Sequence, residues 1–135
     1  MFAFGSAIFA GLTAILAKVG VTGVSSNLAT FIRTGVILIF GSLLLTARAE
    51  WHGTAALSPK NWLFLVLSGL TTGISWLCYF RALQLAPASR VAPIDKLSVV
   101  VAIALGLLIL GEPISGKLLA GAALIVCGSM LIAMA

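Results

Sequence analysis

Charge is scarce in this chain. Three acidic residues, Glu50, Asp95 and Glu112, stand against eight Lys and Arg, and charged residues make up 8% of the 135 positions. A soluble globule carries roughly a quarter, so this sequence has too little polar surface to cover one. Histidine occurs once, at His52, and cysteine twice, at Cys78 and Cys127. That scarcity excludes a zinc spacing and a Cys/His nucleophile pair, and no phosphate-binding glycine loop is present. No enzyme activity, cofactor or metal is therefore expected. Both cysteines fall inside apolar stretches, where thiols behave as small apolar groups and structural disulfides are not expected. The cations are scattered singly, with no basic run and no interleaving with aromatics, which argues against nucleic acid as a partner.

What remains is hydrophobic. Apolar residues make up 61% of the chain and its mean hydropathy is +1.24, the composition of an integral membrane protein in a lipid bilayer. A spanning helix needs about 20 apolar residues, which leaves room for about five with short connections and none for a soluble domain. The expected fold is an all-α bundle of five transmembrane helices forming one domain over residues 1–135. The spans are placed at about Met1 to Ala17, Asn27 to Ala47, Pro59 to Leu85, Ser89 to Leu110 and Ser115 to Ala135. The first lacks a basic leader and reads as a retained anchor rather than a cleaved signal. Ser58-Pro59 has the form of a helix start, and Gly111-Glu112-Pro113 that of a turn. Between the second and third spans lies the longest polar stretch, Arg48 to Lys60, with Trp51 and Trp62 as interface anchors. Its lone histidine, His52, is expected to be merely solvated.

The spans carry patterns beyond hydrophobicity. Ala7 with Gly11, Gly69 with Gly73, and Gly116, Gly121 and Gly128 are small-residue surfaces on which helix backbones can approach closely, which favours a compact bundle. Ser68, Thr71, Thr72, Ser75 and Tyr79 share one face of the third span, and Asn27, Thr30 and Thr34, with Arg33 nearby, do the same in the second. Two such stripes either line a polar cavity or bond back to carbonyls within their own helices, at about 0.6 kcal/mol each. Taken with Arg33, they point to a cavity. Trp76, Tyr79 and Phe80 form an aromatic cluster that is either the wall of a solute pocket or part of the interfacial belt.

Asp95 and Lys96 stand at the head of the apolar run Leu97 to Leu110. On insertion scales an ionisable group at a helix centre costs about 2.5 to 3.5 kcal/mol, so such a pair is a functional hypothesis by default. Arg90 is near enough to the membrane edge to snorkel, whereas Arg33 and Asp95 are deeper and are expected to pair or to face a shared aqueous cavity. The neighbouring cations favour an ionised Asp95 that orients a solute over a proton carrier. Pro87 separates the third span from the fourth, and Pro93 frees a backbone carbonyl beside Asp95, where a kink is expected. Lys and Arg are nearly balanced between the two sets of loops, a weak orientation bias that permits insertion both ways. Two oppositely oriented copies would build an inverted repeat with a site near the midplane.

The stretch from Tyr79 to Ser98, with Ala86-Pro87, Arg90, Pro93 and Asp95-Lys96, is followed by Leu110-Gly111-Glu112-Pro113 and a last helix bearing Gly121 and Gly128. Together with Gly11 to Lys18 and Asn27 to Arg33, these residues resemble the EamA-type domain of the drug/metabolite transporter superfamily. The resemblance covers nearly the whole chain. It implies a five-helix unit that is half of a ten-helix, two-repeat exporter of metabolites or amino acids in the bacterial inner (cytoplasmic) membrane. With one repeat, it implies pairing as a homodimer, or as a heterodimer with a second five-helix chain. Glu112 matches the family's loop glutamate and is expected to bond turn amides or to pair with Lys117.

The expected activity is transport of a small polar or amphipathic metabolite by alternating access between two inverted protomers. Arg33 and Lys96 would orient an anionic group, Asp95 an amine, and Trp76 with Tyr79 the organic body, with Ser75 on the same polar face. The rival is a non-transporting subunit or scaffold partner of another integral protein, which would need the polar stripes only for packing.

Overall fold

A computed structural model describes residues 2–134, and the side chains of all of these except 54 and 55. The chain is helical, in the order α1 (Phe2–Gly20), α2 (Ser26–Ala47), a 3₁₀ segment (Glu50–Ala56), α3 (Pro59–Leu85), α4 (Ala88–Asp95), α5 (Ser98–Leu105) with a π turn (Gly106–Leu110), and α6 (Gly116–Met134). Five helical stretches are long and apolar enough to cross a membrane, with α4 through the π turn counted as one, Ala88–Leu110. No strand occurs among the described residues. The protein is an all-helical, multi-pass membrane protein.

Sequence signals set the helix ends. Three spans start on the same device, a serine whose Oγ accepts the N–H three residues on. Ser25 accepts from Leu28, Ser58 from Asn61 and Ser115 from Leu118, each at 3.2 Å, which satisfies one of the amides left open at a helix start. Left-handed backbone closes other ends, with Gly23 at φ +75° between the first two spans and Gly111 at φ +66° after the fourth. The stretch expected as a polar connection contains the 3₁₀ segment, tied to the end of α2 by the Trp51 indole N–H donating to Thr46 Oγ1 at 3.0 Å.

The helices group into two units, one of residues 20–81 and the other of the chain up to Val19 and from Ala82 onward. In the second, α4 and α5 pack on α6. Leu83, Ala88 and Val91 are buried there with Ala14 and Ser129, and the Ser129 hydroxyl donates to the Pro93 carbonyl at 2.9 Å. At the end of α1, the Lys18 ammonium donates to the carbonyls of Leu83 and Ala86, the latter at 2.9 Å. That places a cation on the C-terminal carbonyls of α3, where the helix dipole favours it. Pro87 follows, ending the helix and leaving those carbonyls for a side chain to satisfy.

Most large apolar side chains are exposed, and α2 buries none of its residues. In lipid this carries no hydrophobic penalty, because acyl chains are as apolar as leucine. A Cβ added at Gly11, Gly69, Gly73, Gly116, Gly121 or Gly128 would meet no atom within 4 Å. Gly106 is the exception, where the added Cβ would lie 2.8 Å from Glu112 Oε2.

Candidate functional site

The predicted site residues form two groups, one in each unit. In the first, Arg33 on α2 meets the aromatic cluster on α3. Its guanidinium carbon lies 4.4 Å from the Trp76 ring centroid and 5.7 Å from that of Phe80. The rings support one another, with Trp76 and Phe80 centroids 6.5 Å apart and Tyr79 and Phe80 6.2 Å apart, both pairs tilted. Phe80 is almost wholly buried, at 2% exposure, and fixes the floor of this arrangement. Periodicity explains the assembly: Trp76 and Phe80 are one turn apart and present their faces on the same side of α3.

Arg33 is seven residues from the start of α2 and Trp76 nine from the end of α3. At 1.5 Å rise per residue, the contact lies about 10 to 14 Å along each helix from those ends. A cation over an aromatic face is stabilised by about 2 kcal/mol when desolvated. A guanidinium also carries its N–H donors in a planar fork, a group that can bind a planar carboxylate through two parallel hydrogen bonds. Among the described residues Arg33 has no acidic partner.

The hydroxyl stripes are largely committed within their own helices. Thr30 Oγ1 donates to Ser26 O and Thr34 Oγ1 to Thr30 O, both at 2.8 Å. In α3, Thr71 donates to Ser68 O at 2.9 Å and Thr72 to the same carbonyl at 2.8 Å. Their protons are therefore spent on backbone, and the threonine oxygens remain only as acceptors.

The second group is Asp95 with Lys96. Lys96 Nζ lies 3.4 Å from Asp95 Oδ2, with the lysine side chain 55% and the aspartate 38% exposed. The fourth span tightens here. α4 ends at Asp95, Lys96 and Leu97 form a turn, and α5 begins at Ser98. The bonds across this turn run to the third residue back: Lys96 N–H to Pro93 O, Leu97 N–H to Ile94 O and Val99 N–H to Lys96 O, at 3.0 to 3.1 Å. Where a kink is expected at Pro93, the helix is instead tightened just beyond Asp95, with Lys96 and Leu97 still right-handed helical, and the Pro93 carbonyl also accepts the Ser129 hydroxyl of α6. A half-exposed ion pair is tolerated at membrane depth where water or protein covers it.

Three features go beyond the sequence expectations. Phe80, expected only within the aromatic cluster, is the second ring near the Arg33 guanidinium. Lys18, expected as a loop charge, supplies the donor that a helix end before Pro87 needs. Glu112 forms no salt bridge with Lys117; its backbone N–H donates to Gly106 O at 3.2 Å and its carboxylate folds back over Gly106.

Five apolar spans, with Arg33 and Asp95–Lys96 inside two of them, define a multi-pass membrane protein. The family model of the EamA-like transporter family matches residues 1–134. The chain is 49% identical over 128 residues to a Sinorhizobium sp. protein named "Uncharacterized transporter in cobO 3'region", covering 95% of this chain and 91% of that one. No solved structure matches it. The chain belongs to the EamA-like transporter family, and the resemblance read from its motifs is borne out.

Proposed function

We propose that the protein is an exporter of small polar or amphipathic metabolites in the bacterial inner membrane, working as a pair of oppositely oriented five-helix units by alternating access. The observation that carries the reading is Arg33, a permanent cation well inside a span, held by the faces of Trp76 and Phe80 and without an acidic partner among the described residues. Such an arginine presents its edge to an incoming anion. Trp76 and Tyr79 then contact the organic body and Ser75 offers a further polar group, while Asp95 with Lys96 is read by itself as a place for an amine or an anionic group. The unfilled glycine notches and extensive exposed apolar surface suit a partner helix as well as lipid. That partner is a second copy or another five-helix chain.

The inward bonding of the threonines favours, in part, the alternative of a non-transporting subunit, since those hydroxyls serve packing equally well. One experiment separates the two. A phosphatase active only in the periplasm and a protein fluorescent only in the cytoplasm are fused in turn to Ala135, at matched expression, and the same membranes are assayed for uptake of labelled amino acids and carboxylates. Signal from both reporters together with Arg33-dependent flux is expected. One orientation with no flux for the chain alone would overturn the homodimeric carrier.

A further inference from the structure

At the end of the fourth span the helix widens and stops. The Gly106 carbonyl accepts the N–H of Gly111, closing the π turn, and that of Glu112 one residue further on. Gly111, at φ +66°, turns the chain back, and this reversal brings the Glu112 carboxylate over buried Gly106. Beside it opens a crevice of about 630 Å³. Its walls are apolar, formed by Val99, Ala102, Ile103, Ile109 and Leu110, and Glu112 is the single charged residue lining it.

The electrostatics of this corner are one-sided. The C-terminal end of a helix carries partial negative charge and favours a cation. Here a carboxylate is folded onto that end instead. In a chain with five more cations than anions, no salt bridge neutralises it among the described residues. Helix end and carboxylate add as like charges, and apolar walls strengthen their field compared with open water. The missing element is a positive group small enough to reach Glu112 beside Gly106, attached to an apolar body that fills the walls.

We propose that the Glu112–Gly106 crevice is a binding site for an organic ammonium carried on an apolar chain. The site is separate from the Arg33 cage and does not depend on the reading given for it. Gly106 is its specificity element, because any side chain there would displace the carboxylate.

The test uses the full chain in nanodiscs of phosphatidylglycerol, a lipid without an ammonium group, and tritiated octyltrimethylammonium as the probe, with empty discs correcting for partition. Glu112→Gln is expected to weaken binding about tenfold, the scale of one charge-assisted contact. Gly106→Ala, whose Cβ meets Oε2, should weaken it as well, while Gly116→Ala, with open space, and Glu50→Gln should leave it unchanged. Octanol, with the same chain length and no charge, should not compete. Adding phosphatidylethanolamine distinguishes the natural source: competition assigns the site to a lipid headgroup, and its absence to a soluble amphipathic amine, both upholding an ammonium site. Binding that survives Glu112→Gln, falls equally with Glu50→Gln, or is displaced equally by octanol overturns the proposal.

Discussion

The two charged regions of this protein keep ions inside a membrane span by opposite means. Around Arg33 the helices are continuous and the charge is spread over two aromatic faces, with Phe80 buried beneath. At Asp95 and Lys96 the helix tightens into a turn and the charges lean on each other at 3.4 Å while remaining half-exposed. The first arrangement holds its cation against fixed rings, which on the proposed reading leaves little to reorganise when an anion arrives. The second is tightened to third-residue bonds at Lys96 and Leu97, and on the proposed reading this turn is where the span changes its φ and ψ. On the proposed reading the first element recognises the solute and the second moves.

The strongest way to break this contrast is Arg33→Lys. It keeps the charge but removes the planar fork and most of the stacking. One charge-assisted hydrogen bond contributes about 1.5 to 3 kcal/mol, so the initial transport rate for a carboxylate solute should fall roughly tenfold to a hundredfold. Proteoliposome flux at matched protein content measures it. A rate within twofold of wild type would show that a point charge suffices and that the cage is structural packing.

Trp76→Leu sharpens the same comparison by leaving Arg33 its edge while removing the nearer face. A cation–π contact is worth about 0.5 to 2 kcal/mol, so flux should drop roughly twofold to thirtyfold, with Trp76→Phe in between. If Phe and Leu behave alike, hydrophobic bulk rather than the ring quadrupole holds the arginine.

Much of this was legible in the sequence. The five spans follow from apolar run length, and the Ser58 start from local capping chemistry, because both signals lie within a few residues of each other. The Arg33 contact was legible only as two halves. Trp76, Tyr79 and Phe80 declare a shared face by spacing, but nothing local to α3 says which helix brings a cation to it. Long-range pairings such as Lys18 with the end of α3, or Ser129 with Pro93, are set by tertiary packing, and only the need for a partner could be read beforehand. The small-residue motifs are weaker signals for the complementary reason: a glycine permits close approach without compelling it, and a Cβ added at Gly69 or Gly73 would meet nothing within 4 Å.

In the second region Asp95→Asn tests whether the ion pair or the tightened backbone matters. A half-exposed pair contributes about 0 to 1 kcal/mol, so thermal stability in detergent should change by less than that. Transport of an amine-bearing solute should fall while that of a simple carboxylate is retained. A parallel loss for both solutes would place Asp95 in the general moving machinery rather than at the amine.

Ser129→Ala carries the smallest expected effect and isolates the hinge. Its hydroxyl is buried and joins α6 to the carbonyl of Pro93, two residues ahead of Asp95. Interhelical hydrogen bonds in membranes average about 0.6 kcal/mol, so the unfolding midpoint should shift only slightly. The turn itself should respond more than the fold does, because the Pro93 carbonyl loses its link to α6 and keeps only the Lys96 amide. Hydrogen exchange at residues 96–99 reads this directly: faster exchange there with protection unchanged in α2 supports a hinge pinned by Ser129. Uniform exchange throughout would mean that the turn is rigid, and the moving half of the comparison would fall.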